Sequence, residues 1–178
     1  NTDNSRSGYK GIVLFDIDGT LTTGTQNEEI VDLFLRRGYA VGIVTAGAMY
    51  TPHNLPRFKW MPRNLYKFMH DNDFDTFNNV ASGILMGKYS GLKSYDESVK
   101  SSCPTDDVYV RHGWRKGHAL EQCAKLYGIH ERENRIVFDD LKPFLHGMHL
   151  HCKDCTHVCA GKNCGGELTV DMARAVLG

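Results

Sequence analysis

The chain has 178 residues, 41% apolar and 24% charged, the size and make-up of one globular domain on a prior of roughly 150 residues each. Lys plus Arg total 21 and Asp plus Glu total 21, and that balance removes the usual electrostatic case for a nucleic-acid coat or an anionic-membrane binder. No apolar run approaches the roughly 20 residues of a bilayer span, and polar Asn1 to Ser7 lack a secretory hydrophobic region. A cytoplasmic location without a membrane partner is therefore expected.

Residues 1–8 read as a disordered polar leader closed by Gly8, and 9–178 as a single domain. Lys10 to Asp16 is a near-continuous apolar run ending in Asp-Ile-Asp-Gly-Thr, which marks a strand buried on both faces of a parallel sheet. Asn27 to Arg37 reads as a helix with Asn27 as N-cap, Glu28 and Glu29 in its first turn, and Gly38 just past its end. Tyr39 to Thr45 is a second apolar strand, closing a βαβ unit with a right-handed crossover. Residues 51–63 carry Pro52, Pro56 and Pro62 and read as a loop. Leu65 to His70 reads as a helix and Phe74 to Ala81 as a third strand.

Residues 82–113 are rich in Gly and Ser, with a strand-like Asp107 to Val110, and read as a small inserted cap. Trp114 to Tyr127 is an amphipathic helix stopped by Gly128. Arg135 to Phe138 is another buried strand, ending at Asp139-Asp140. Met148 to Leu150 reads as one more strand, and Leu168 to Leu177 as a closing helix. The expected fold is α/β, a Rossmann-like open parallel sheet with helices on both faces.

Three apolar strands thus end in Asp16-x-Asp18, Thr45 and Asp139-Asp140. Ligands of open parallel sheets bind outside the C-terminal strand ends, so these groups converge although they are distant in sequence. Several carboxylates brought together repel and are costly to desolvate. A divalent cation resolves that conflict, and an all-oxygen donor set suits Mg²⁺.

Phe15-Asp16-Ile17-Asp18-Gly19-Thr20-Leu21-Thr22 resembles the first signature of the haloacid-dehalogenase-like (HAD) phosphohydrolases. Thr45 at a strand end is similar to their second signature, Lys116 to their third and Asp139-Asp140 to their fourth, over residues 10–140. The resemblance implies that Asp16 attacks phosphorus and that Asp18 serves as general acid and base. It also implies Mg²⁺ held by the Asp16 side chain, the Asp18 backbone carbonyl and Asp139, with Asp140 as a further ligand. Thr45 and the Ala46 N–H would bind phosphoryl oxygens, and Lys116 would add positive charge at the start of its helix. Arg115, Lys93 and Lys125 compete for the lysine role. True dehalogenases of this superfamily lack the second Asp, so Asp18 points to phosphoryl transfer.

Too few residues lie between Asp18 and Thr45 for a large cap. An open or lightly covered site accepts a bulky phosphorylated substrate, such as a macromolecule or nucleotide, with nucleic acid entering only as a phosphorylated end. His53, Arg57, Lys59, Trp60, Arg111, His112 and Trp114 are candidate substrate contacts. Arg57-Phe58-Lys59-Trp60 suits a nucleotide or phosphopeptide, or its aromatics plug the edge of the sheet. In the Cys/His-rich stretch 146–166, read as a loop, Cys152, Cys155, Cys159 and Cys164 can wrap one structural Zn²⁺, with His151 or His157 as substitutes. Two local disulfides, an iron–sulfur cluster and free thiols are the alternatives. The expected function is a Mg²⁺-dependent phosphatase; the competing one is a non-catalytic phosphate- or partner-binding module with a zinc-stabilised loop.

Overall fold

The computed structural model describes residues 8–47, 49–51, 53–72, 78–80, 83–85 and 97–178. The expected leader, apart from Gly8, lies outside the described residues, as does the rival Lys93. The apolar run forms β1 (Gly11–Phe15), buried along its whole length. It pairs in parallel with β2 (Tyr39–Thr45) on one side and β5 (Arg135–Asp139) on the other, and β5 pairs in parallel with β6 (Thr156–Cys159). Phe15 lies opposite both Ile43 and Phe138, so the polar residues that end these strands emerge at one edge.

Two short strands, β3 (Asn78–Val80) and β4 (Gly83–Leu85), extend the sheet beyond β2 in antiparallel fashion, giving the order β3-β4-β2-β1-β5-β6. The core is thus a four-stranded parallel sheet with helices, an α/β architecture. Of the expected strand 74–81, residues 78–80 are described, and they run antiparallel to β4 rather than joining the parallel set. The expected cap 82–113 also divides. Residues 83–85 belong to the sheet, 82 and 86–96 lie outside the described residues, 97–101 form the short helix α3 (Glu97–Ser101), and 108–113 belong to a core helix.

Alternation along the strands sends side chains to two apolar layers. Val13, Phe15, Val41, Ile43 and Phe138 pack with α1 (Asn27–Arg36), α2 (Arg63–Asp71) and α6 (Val170–Leu177). Ile12, Leu14, Val44 and Val137 face α4 (Val108–Leu126) and α5 (Lys142–His151). Phe15 stacks on Phe138 at 5.5 Å, and both meet Phe34 edge-on. Asn27 is the first residue of α1 rather than its cap; its buried amide instead donates to the carbonyls of Leu21 and Trp60, at 2.9 and 3.0 Å.

Helix α4 starts six residues before the expected Trp114, because Asp107 caps it by accepting from the N–H groups of Tyr109 and Val110. Local capping therefore overrides the strand preference of Asp107 to Val110. Lys116 consequently lies inside the helix, not at its start. The expected strand Met148 to Leu150 is likewise the end of α5, where Met148 is buried against α4. Backbones of α4 and α5 touch: a Cβ on Gly113 would strike the Phe144 carbonyl oxygen, and one on Gly147 the Val110 carbonyl oxygen.

The Cys/His-rich stretch is not a loop, since it contains the end of α5 and all of β6. The four cysteines pair as Cys152–Cys155 and Cys159–Cys164, the two-bridge alternative. Bridged sulfurs carry no thiolate, so in this state they form no zinc site. Among the described residues no helix is long and apolar enough to cross a membrane.

Two stability predictions follow from this packing. Gly147→Ala is expected to cost about 1–3 kcal/mol by overpacking α4 against α5, measured by denaturant unfolding. On β6, burial first and His149 second lower the His157 pKa from 6.5 to about 4. Between those values the unfolded chain binds a proton that the folded chain refuses, so stability should fall as pH drops through that window. Thermal melts across pH should show that acid limb flattened in His157→Gln.

Candidate active site

The chain leaves β1 in extended conformation at Asp16 and turns tightly through Ile17–Leu21. Gly19 has φ 84°, and a Cβ there would run into Asp140 Oδ2. Glycine at this position is what lets the turn press against the end of β5. As a result one carboxylate oxygen from each of Asp16, Asp139 and Asp140 lies within 4.8 Å of the others, and all three residues are buried. From the middle of α4, Lys116 Nζ donates to Asp16 Oδ1 at 3.0 Å and to Asp139 Oδ2 at 2.6 Å. Its ammonium also lies 4.5 Å from the centre of the Phe144 ring. Among the described candidates for the lysine role, Lys116 is hydrogen-bonded to these carboxylates, while Arg115 is buried and Lys125 is exposed.

One ammonium cannot balance three buried carboxylates. Burial pushes the Asp16 carboxyl well above its ordinary range; Lys116 pulls it down, while Asp139 and Asp140 push it further up. For Lys116, burial works against the charge, but Asp139 and then Asp16 more than offset it, so the amine is held above its usual value and stays protonated. Asp140 Oδ2 accepts from the Asn163 amide at 2.8 Å, whereas its Oδ1 is buried with no hydrogen-bond partner among the described residues. An unsatisfied carboxylate oxygen beside two further buried carboxylates fits a hard divalent cation. Asp16, Asp139 and Asp140 are the side chains that could hold it.

Asp18 does not join this trio. Its side chain is exposed, and its Oδ1 accepts from the Tyr50 hydroxyl at 2.5 Å. The turn after β2 approaches the same carboxylate, since a Cβ on Gly47 would lie 2.9 Å from Asp18 Oδ2. Buried Thr45 holds that turn by accepting from the Gly47 N–H at 3.1 Å, and Ala46 between them is half-buried. The structure therefore brings the first, second and fourth sequence clusters to one end of the sheet, with Lys116 reaching in from α4.

The candidate substrate contacts are placed less uniformly. Phe58 and Trp60 stack on one another at 5.0 Å, and both meet the Tyr50 ring edge-on. They pack against the core, while His53, Arg57 and Lys59 are exposed. Arg111 donates to the Lys100 carbonyl and Trp114 to Ser102, while the His112 ring meets Phe144. Those three serve the packing of the helices around α4. Tyr50 and Asn163 were not among the sequence candidates, because neither occurs at a spacing that ties it to the acidic residues.

A short segment after β6 completes the site. Lys162 N–H donates to the Gly19 carbonyl at 2.8 Å, and the Thr20 hydroxyl to the Ala160 carbonyl at 3.1 Å. The Cys159–Cys164 bridge closes this segment and brings Asn163 onto Asp140. The chain matches no protein-family model, no curated protein and no solved structure.

If the trio takes a divalent cation, Mg²⁺ should raise the thermal midpoint, by about 2.7 kcal/mol of added stability at a hundredfold excess over its Kd. The rise should shrink strongly in Asp140→Asn. A midpoint indifferent to Mg²⁺ contradicts the cation assignment.

Proposed function

We propose that the protein is a Mg²⁺-dependent phosphomonoesterase of the HAD-like kind, acting through Asp16. The observation that carries this reading is the buried cluster of Asp16, Lys116, Asp139 and Asp140 at the C-terminal ends of adjacent parallel strands, built on a sequence that reads Asp-Ile-Asp-Gly-Thr. Asp16 is the nucleophile: its carboxylate oxygen bonds to phosphorus as the bond to the leaving oxygen breaks. Asp18 gives its proton to that oxygen, so the alcohol departs neutral. Water then attacks phosphorus, returning a proton to Asp18, and the bond between Asp16 and phosphorus breaks to release phosphate.

Bound Mg²⁺ would neutralise charge on the phosphoryl oxygens and screen them from the carboxylates. Lys116 keeps Asp16 aligned and offsets part of the negative charge. Thr45 and the Ala46 N–H are the donors proposed for the phosphoryl oxygens. The binding-module alternative uses the same pocket. An exposed carboxylate tied to a buried phenol beside the turn after Thr45 has no evident use in a module, and that favours the enzyme. The proposed substrate class is a phosphorylated macromolecule or nucleotide, admitted by the exposed position of Asp18.

Turnover of 4-nitrophenyl phosphate should require Mg²⁺ and fall by roughly a thousandfold or more in Asp16→Asn. Phosphopeptides, nucleotides and 5′- or 3′-phosphorylated oligonucleotides then define the substrate class. A wild-type protein inert toward the whole panel, or an Asp16→Asn variant with full activity, contradicts the proposal.

A further inference from the structure

The Tyr50 hydroxyl makes the one hydrogen bond to the Asp18 carboxylate among the described residues. The ring is only 3% exposed. Phe58 and Trp60 brace it edge-on, at 5.4 and 5.7 Å between ring centres, and those two rings are stacked on each other. A rigid, buried aromatic body therefore ends in a single polar atom aimed at an exposed carboxyl. An exposed aspartate otherwise samples several rotamers, and a proton donor that is misdirected most of the time is a poor one.

We infer that Tyr50 is a positioning residue, fixing Asp18 so that Oδ1 accepts the phenol and Oδ2 alone carries the proton exchanged with substrate. This deepens the phosphatase reading and rests on Asp18 acting there as general acid and base. A carboxylic acid holds its proton on one oxygen while the other still accepts. Oδ1 can thus accept from the phenol in both protonation states of Asp18. Oδ2 is the oxygen beside Gly47, on the turn that follows Thr45. In the first half-reaction the proton passes from Oδ2 to the leaving oxygen; in the second it returns to Oδ2 from the attacking water. Tyr50 keeps its own proton throughout, so its effect is geometric.

Proton donation matters most for a basic leaving group and least for a leaving group that departs unaided. A series of esters from alkyl phosphates through 4-nitrophenyl to 2,4-dinitrophenyl phosphate separates positioning from folding. Tyr50→Phe keeps the ring and removes only the hydroxyl. It should lower kcat/KM, which reports phosphoryl transfer to Asp16 and not the later hydrolysis, about 10- to 100-fold on alkyl esters, less than the full contribution of a general acid, and leave the dinitrophenyl ester nearly unchanged. Asp18→Asn should give the same pattern more steeply. Phe58→Leu loosens the ring's support and keeps the hydroxyl; it should lower the melting temperature and steepen the leaving-group dependence much less than Tyr50→Phe does.

An equal loss on every ester, or no loss on any, overturns the role of Tyr50. So does a Phe58→Leu profile as steep as that of Tyr50→Phe, because packing would then account for the effect. A flat profile in Asp18→Asn overturns the acid–base assignment of Asp18 and this inference with it. A steep Asp18→Asn profile beside a flat Tyr50→Phe profile overturns the role of Tyr50 alone.

Discussion

A single ammonium group buried among three carboxylates organises this end of the molecule. Lys116 bridges the ends of β1 and β5 by bonding to Asp16 and Asp139, two residues far apart in sequence that the sheet register brings side by side. Removing one partner of such a buried pair typically costs about 3–5 kcal/mol, so the cluster constrains the fold as well as the chemistry. Its charge is still not balanced. That deficit is the physical reason for proposing a cation in the pocket.

Several otherwise unrelated details serve this arrangement. Lys116 arrives because α4 lies directly on α5, which the glycines at the helix crossing permit. Asp140 is brought inward by the tight turn at Gly19, and its outer oxygen is held by Asn163 from the bridged segment after β6. Asp18 is kept out of the cluster and tied instead to Tyr50. The two aspartates of Asp-Ile-Asp are thereby given different environments, one buried beside an ammonium and the other solvent-facing beside a phenol. Distinct surroundings are how neighbouring carboxylic acids acquire distinct roles.

The parallel core was readable from sequence because buried strands leave uninterrupted apolar runs, and β1, β2 and β5 each end in polar residues. That the candidate residues at those strand ends lie close together was readable for the same reason. Errors arose where a local preference met tertiary packing. Asp107 to Val110 look like a strand, yet the Asp107 carboxylate caps a helix. Met148 to Leu150 look like another, yet they end helix α5, with Met148 buried against α4. Residues 156–159 carry no strong apolar pattern, since an edge strand is only half-buried, and β6 was hidden for that reason. The pairing of the cysteines depends on the turns between α5 and β6, which spacing alone does not settle. Tyr50 and Asn163 reach the acidic residues through folds of the chain that leave no periodic trace.

The most direct test is to mix the protein with a phosphomonoester and Mg²⁺, quench in acid, and locate any covalently bound phosphoryl group by peptide mass spectrometry. The group should be found on Asp16 and be absent from Asp16→Asn. Turnover with the phosphoryl group on another side chain, or on none under conditions that accumulate the intermediate, would contradict Asp16 as the nucleophile.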